Sequence, residues 1–139
     1  MTEDTQLSRT LAESIESLHA SAARIWDAYQ ATGPGTVGNA LFDGVEMNAK
    51  TCSELLQRED TVAAVGRLLN VEPEAWRERT CQSVSKSVDF ARRCALRPEG
   101  LCFVTGEAGL IPRKDLHETF AAALAHLEQQ CEVIRDAGG

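Results

Sequence analysis

Aromatic residues make up only 5% of this chain and proline occurs four times. Both shortages disfavour a β-sandwich, whose strands draw on aromatics and whose many turns draw on proline. No apolar run approaches the roughly 20 residues that a membrane-spanning helix needs. The first seven residues are acidic and polar where a secretory leader would be basic and then apolar. A cytoplasmic protein without membrane association is therefore expected. The five cysteines contain no CxxC pair, which removes the usual sequence sign of a zinc site and leaves free thiols in a reducing compartment as the expectation. With three histidines and no GxSxG elbow, the sequence shows no nucleophile with an evident base. No cofactor, no metal and no enzymatic activity are expected. Bases are also in deficit, 14 Lys and Arg against 21 Asp and Glu, so the net charge of −7 opposes strong binding to nucleic acid or anionic lipid.

What the chain does have is helical periodicity. Its 139 residues are 43% hydrophobic and 25% charged, enough to build one sizeable core. Leu11, Ile15, Leu18, Ala22, Ile25 and Tyr29 follow a 4-3-4-3-4 spacing, one stripe of a helix from about Thr5 to Ala31, with Asp4 or Thr5 as its cap. Gly33-Pro34-Gly35 breaks it. Leu41, Val45, Asn48, Cys52 and Leu55 predict a second helix over Ala40 to Arg58, with Asn39 as cap and Gly44 as an internal weak point. Asp60 or Thr61 caps a short helix ending near Asn70. Pro73 then suits the first position of a third long helix, whose stripe reads Cys81, Val84, Val88, Ala91 and Ala95 and which stops near Arg97 before Pro98. The segment from Leu101 to Ile111 reads as a short hairpin or ordered loop. Asp115 and Glu118 resemble a capping box ahead of Leu116, Phe120, Ala123, Leu127, Cys131 and Ile134. The predicted fold is all-α: a helical bundle of four long helices plus one short helix, with the small hairpin or loop before the last helix, in a single domain over residues 1–139.

Charge is unevenly spread. Residues 1–60 hold ten acids and four bases, residues 61–98 four acids and seven bases, and residues 99–139 seven acids and three bases. Either the segments complement one another as they pack, or the third long helix carries a binding face through Arg77, Arg79, Lys86, Arg92, Arg93 and Arg97. Three of those arginines, Arg92, Arg93 and Arg97, also surround Cys94. Nearby positive charge lowers a thiol's pKa, so Cys94, paired with Cys102, is the candidate redox thiol couple. Cys52, Cys81 and Cys131 lie on apolar stripes and are expected in the core.

Other patterns carry less. Gly33 to Gly38 matches GxGxxG, but a helix leads into it where a dinucleotide site needs a strand. Glu16 and His19 have di-iron spacing without a second copy. His117 and His126, nine residues apart, fall on opposite faces of the last helix and are expected at the surface. The stretch from Val62 to Arg79, with Val65, Gly66, Leu69, Asn70, Val71 and Trp76 in rhythm, resembles over eighteen residues the DNA-binding helix-turn-helix of bacterial regulators. That resemblance implies base-reading by the helix after Asn70, which departs from the pattern by opening with Glu72, Glu74 and Glu78.

The expected function is a non-enzymatic protein-protein interaction or regulatory module, an acidic helical bundle acting as adaptor, inhibitor or assembly factor. It would recognise a protein partner or form a homodimer through the first helix. The alternative is a helix-turn-helix transcription regulator that binds DNA through residues 62–79, with Arg67, Arg77, Arg79, Lys86, Arg92 and Arg93 as its contacts.

Overall fold

The computed structural model describes residues 3–32, 39–95, 103–106, 109–112 and 114–138. Five helices result: α1 (Glu3–Thr32), α2 (Asn39–Leu56), α3 (Glu59–Leu69), α4 (Pro73–Ala95) and α5 (Lys114–Gly138). Between α4 and α5 lies one antiparallel hairpin, β1 (Phe103–Gly106) with β2 (Gly109–Pro112), in the register Phe103 opposite Pro112 and Gly106 opposite Gly109. The all-α bundle expected from the periodicity is what forms.

The 30-residue α1 runs about 45 Å and is the axis of the bundle, in contact with the other four helices. Its stripe explains why. Leu11, Ile15, Leu18, Ala22 and Ile25 are all 0% exposed within one chain. These five side chains are buried inside the molecule. Val45, Cys52 and Leu56 of α2, Val65 of α3, Trp76, Val84, Phe90 and Ala91 of α4, and Phe120, Leu127, Cys131 and Ile134 of α5 join the same cluster. Between α1 and α2 the Asn48 side chain donates to Ser17 O at 3.2 Å and to Ser21 Oγ at 3.1 Å, which satisfies a polar residue set into an apolar stripe.

Helix starts depart from the expected caps. Asp4 and Thr5 lie inside the first turn of α1, and Asp4 instead takes a bidentate pair of bonds from Arg67 of α3 at 2.7 and 2.8 Å. Helix α3 begins at Glu59, so Asp60 is in its first turn, where it accepts from Arg58 and from the Thr61 amide. In both places an acid still meets the positive end of the helix dipole. Pro73 opens α4 as expected, and the Glu72 carboxylate accepts from the Ala75 amide at 2.6 Å. The cap roles of Asn39 and Asp115 and the Gly33–Gly38 loop lie outside the described residues and side chains.

The α3–α4 corner has the geometry its residues imply. Asn70 adopts φ 55° and ψ 50°, the left-handed conformation that asparagine tolerates better than most residues. Four residues earlier, a Cβ on Gly66 would lie 2.6 Å from Pro73 Cγ and 3.3 Å from Val71 O. Only a hydrogen fits there. Gly66→Ala is therefore expected to cost about 1–3 kcal/mol through overpacking, with part of the loss recovered when Pro73→Ala removes the ring. Gly44 is the contrast, because nothing lies within 4 Å of its Cβ position. Gly44→Ala inside α2 should stabilise by about 0.5–1 kcal/mol. Urea unfolding of the variants checks both signs, and a neutral Gly66→Ala would show that the corner is looser than described.

Helix α4 meets the sequence expectation in part. The Ala95 side chain lies outside those described. Trp76, Val84 and Ala91 of its expected apolar residues are buried, and the buried face also takes in Thr80, Ser83, Ser87 and Phe90. Cys81 and Val88 are left half-buried at its edge. The buried hydroxyls are tolerated because they bond back along the helix, Thr80 Oγ1 to Trp76 O and Ser87 Oγ to Ser83 O, each at 2.9 Å.

Candidate functional site

The turning of α4 opens a valley against α2. Its floor is apolar: Ala49 from α2 with Cys81, Val84 and Val88 from α4. Its rim is charged, with Glu46 and Lys50 on the α2 side and Lys86, Asp89 and Arg92 on the α4 side, around an open groove of about 520 Å³. Cys81 also lines a second hollow of about 470 Å³, bounded by Gln57, Glu72, Glu74, Arg77 and Glu78. Cys81 lines both, and the α4 residues around the two hollows follow one side of the helix from the Arg77 turn to the Arg92 turn; together they make up the valley.

Its two ends differ electrostatically. At the first end Arg77 is held between Glu59 at 3.0 Å and Glu74 at 2.5 Å and keeps only 19% of its side-chain exposure, so its charge is spent internally. Glu72 and Glu78 leave that end net acidic. At the other end Lys50, Lys86 and Arg92 are exposed, and no ion pair engages them among the described residues. Arg67, Arg58 and Arg135, by contrast, each pair with a carboxylate: Asp4, Asp60 and Glu16.

Of the residues singled out by sequence, the valley brings together Lys86 and Arg92 with Arg77 at its far end. Arg79 is exposed on another side of α4 and adds positive charge near His126. The side chains of Arg93 and Cys94, and all of Arg97 and Cys102, lie outside the described residues, so the expected thiol couple does too. Glu16 and His19 do not form a site with each other. Both reach across to α5, Glu16 to Arg135 and His19 Nε2 to Glu128 at 3.8 Å.

Among the described cysteines, Cys52, Cys81 and Cys131 are free thiols. Burial pushes Cys52 up to about 12 and Cys131 up to about 11, and it raises Cys81 as well, against a smaller opposing pull from Arg77. These thiols stay protonated at neutral pH and behave as small apolar groups.

Sequence reasoning missed one polar pair. Ser83 Oγ lies 2.7 Å from His126 Nδ1, across 43 residues and two helices. His126 is half-buried rather than on the surface as expected. The pair has the reach of a nucleophile and base, but Ser83 sits inside α4, where the neighbouring amides are committed to helical bonds and cannot form an oxyanion hole. The bond fixes the ring's orientation between α4 and α5. Burial, and secondarily Arg79, hold the His126 pKa below 6.5. The unfolded chain thus binds the proton more readily. Stability from this group is complete above pH 6.5 and is lost as pH falls from there towards the lower folded value. The bonds from Arg67 and Arg58 depress Asp4 and Asp60, so their contribution is present above pH 3.8 and lost below it. Melting temperature should accordingly fall first below pH 6.5, and His126→Gln should flatten that first decline while leaving the second.

No family model, curated protein or solved structure matches this chain. Among the described residues, no group of three or more potential metal ligands gathers, and no helix is long and apolar enough to cross a membrane.

Proposed function

We propose that this chain is a non-enzymatic interaction module, an adaptor, inhibitor or assembly factor that receives a protein partner in the valley between α2 and α4. One observation carries this. Helix α4 turns hydroxyls into the core and leaves apolar Cys81 and Val88 half-buried on the floor of an open groove whose exposed cations Lys50, Lys86 and Arg92 have no ion-pair partner among the described residues. Apolar floor and charged rim are the anatomy of a protein interface. A reducing compartment such as the cytoplasm suits the free thiols Cys52, Cys81 and Cys131. A second copy of the chain is one candidate partner for this valley.

A photo-crosslinking residue at Ser53 or Ser85 on the valley wall tests the proposal, with the same residue at exposed Glu13 of α1 as the control. The expected result is one discrete adduct from the valley positions, identified by mass spectrometry and lost in Lys86→Glu/Arg92→Glu. Adducts equal to those from Glu13 would remove the proposal.

DNA binding is favoured by one observation, the close α3–α4 corner at Gly66 and Asn70. Against it, the opening turns of α4 expose Glu72, Glu74 and Glu78, while Arg77 is neutralised by two carboxylates. Phosphate contacts need free cations. A gel shift at low salt is expected to show no retarded band. A band abolished by Arg79→Ala would reverse the ranking.

A further inference from the structure

The two ends of the valley carry opposite charge. Lys50, Lys86 and Arg92 outnumber Glu46 and Asp89 at one end, and Glu72, Glu74 and Glu78 outnumber Arg77 at the other. Between them lie the apolar residues Ala49, Cys81, Val84 and Val88, and Arg77 to Arg92 span about 22 Å at 1.5 Å per helical residue. A groove between two helices with this floor accepts an apolar helical face.

Resting on the interaction-module proposal, we propose that the partner segment held in the valley is an amphipathic helix of about 15 residues with its charges segregated. Its acidic end lies over Lys50, Lys86 and Arg92, and its basic end lies over Glu72, Glu74 and Glu78. A helix that carries acids in its first half and bases in its second matches its own macrodipole. Such a helix enters with its N-terminus at the Arg92 end and runs antiparallel to α4. A segment with uniform charge meets repulsion at one end of the valley, and like charges brought together at an interface select against the wrong partner.

The probes are two labelled synthetic peptides of identical composition, each with a leucine and alanine face. One carries glutamates in its first half and lysines in its second; the other alternates them. Fluorescence anisotropy with the full chain is expected to show the segregated peptide binding about tenfold more tightly or better at low salt, an advantage that shrinks as salt rises. Lys86→Glu/Arg92→Glu and, separately, Glu74→Lys/Glu78→Lys should each erase that advantage, with circular dichroism confirming that both variants fold. A nitroxide on the acidic end should broaden amide signals of α4 near Arg92 and spare those near Arg77. Equal affinity for the two peptides, no saturable binding of the segregated one, or the reverse broadening pattern overturns the inference. If the peptides fail while the valley crosslink to a partner persists, only the helical occupant is wrong. If the crosslink also fails, the interaction module itself is wrong.

Discussion

Ile25→Asp is expected to leave the protein without a cooperative thermal transition. Ile25 is 0% exposed and belongs to the central α1 stripe. Truncating a buried isoleucine costs about 2–5 kcal/mol by itself. Aspartate adds the desolvation of a carboxylate, which must either stay charged in an apolar site or take up a proton, and both are unfavourable. The sum is comparable with the roughly 5–15 kcal/mol that holds a typical domain together. Circular dichroism during heating reads the result, with Ile25→Val as the control that retains its transition at a cost of about 0.5–1.5 kcal/mol. Had α1 been a dimer seam, the same change would yield a folded monomer. Burial of the stripe within one chain predicts unfolding instead, and an unchanged melting curve would contradict that burial.

The second large effect is expected at Phe120. Its ring is 1% exposed, stacks on Phe90 with centroids 4.1 Å apart at 13°, and meets Trp26 at 5.2 Å and 44°. Trp26 also meets Phe90 at 5.8 Å, so one aromatic cluster joins α1, α4 and α5. In a chain with 5% aromatics, this cluster holds much of the large apolar surface available to any core. Phe120→Ala removes a ring that nothing nearby can replace and is expected to cost about 3–5 kcal/mol. The melting temperature should fall by about 10–20 °C, with loss of near-ultraviolet dichroism from Trp26. Phe120→Leu fills most of the space without the stacking and should recover more than half of the loss. If Phe120→Ala melted within a few degrees of the parent, the cluster would not be the junction described.

Much of the bundle can be read from the chain because its long helices follow a simple rule. In α1 and α5 the described residues of the apolar stripes are the buried faces, and in α2 Val45 and Cys52 are buried with Leu41, Asn48 and Leu55 at the edge. The corner between α3 and α4 was also legible, because close approach at Gly66 and a left-handed turn at Asn70 each restrict the residue type. Helix α4 adds hydroxyls to that rule. Thr80 and Ser87 bond to their own helix's carbonyls and Ser83 to His126, so all three face inward beside Trp76, Val84 and Ala91 while Cys81 and Val88 stay half-buried. The valley depends on that packing and could not be seen in any one segment. Its cations were visible as a basic helix, but the pairing of Arg77, set against Lys86 and Arg92 with no ion pair among the described residues, depends on where Glu59 and Glu74 come to rest. The Ser83–His126 bond joins residues too far apart for any spacing rule to connect.

The hydroxyl-faced side of α4 also bears on how the bundle breathes. Water that enters a seam lined by Thr80, Ser83 and Ser87 finds groups ready to exchange one hydrogen bond for another. A seam lined by Leu11, Ile15 and Leu18 offers it nothing. The α4 amides should therefore exchange with deuterium ahead of those in the middle of α1. A partner that grips α4 from the α2 side would slow this exchange along the whole helix, so occupancy of the valley would be felt on the opposite face of α4 without any rearrangement of the fold.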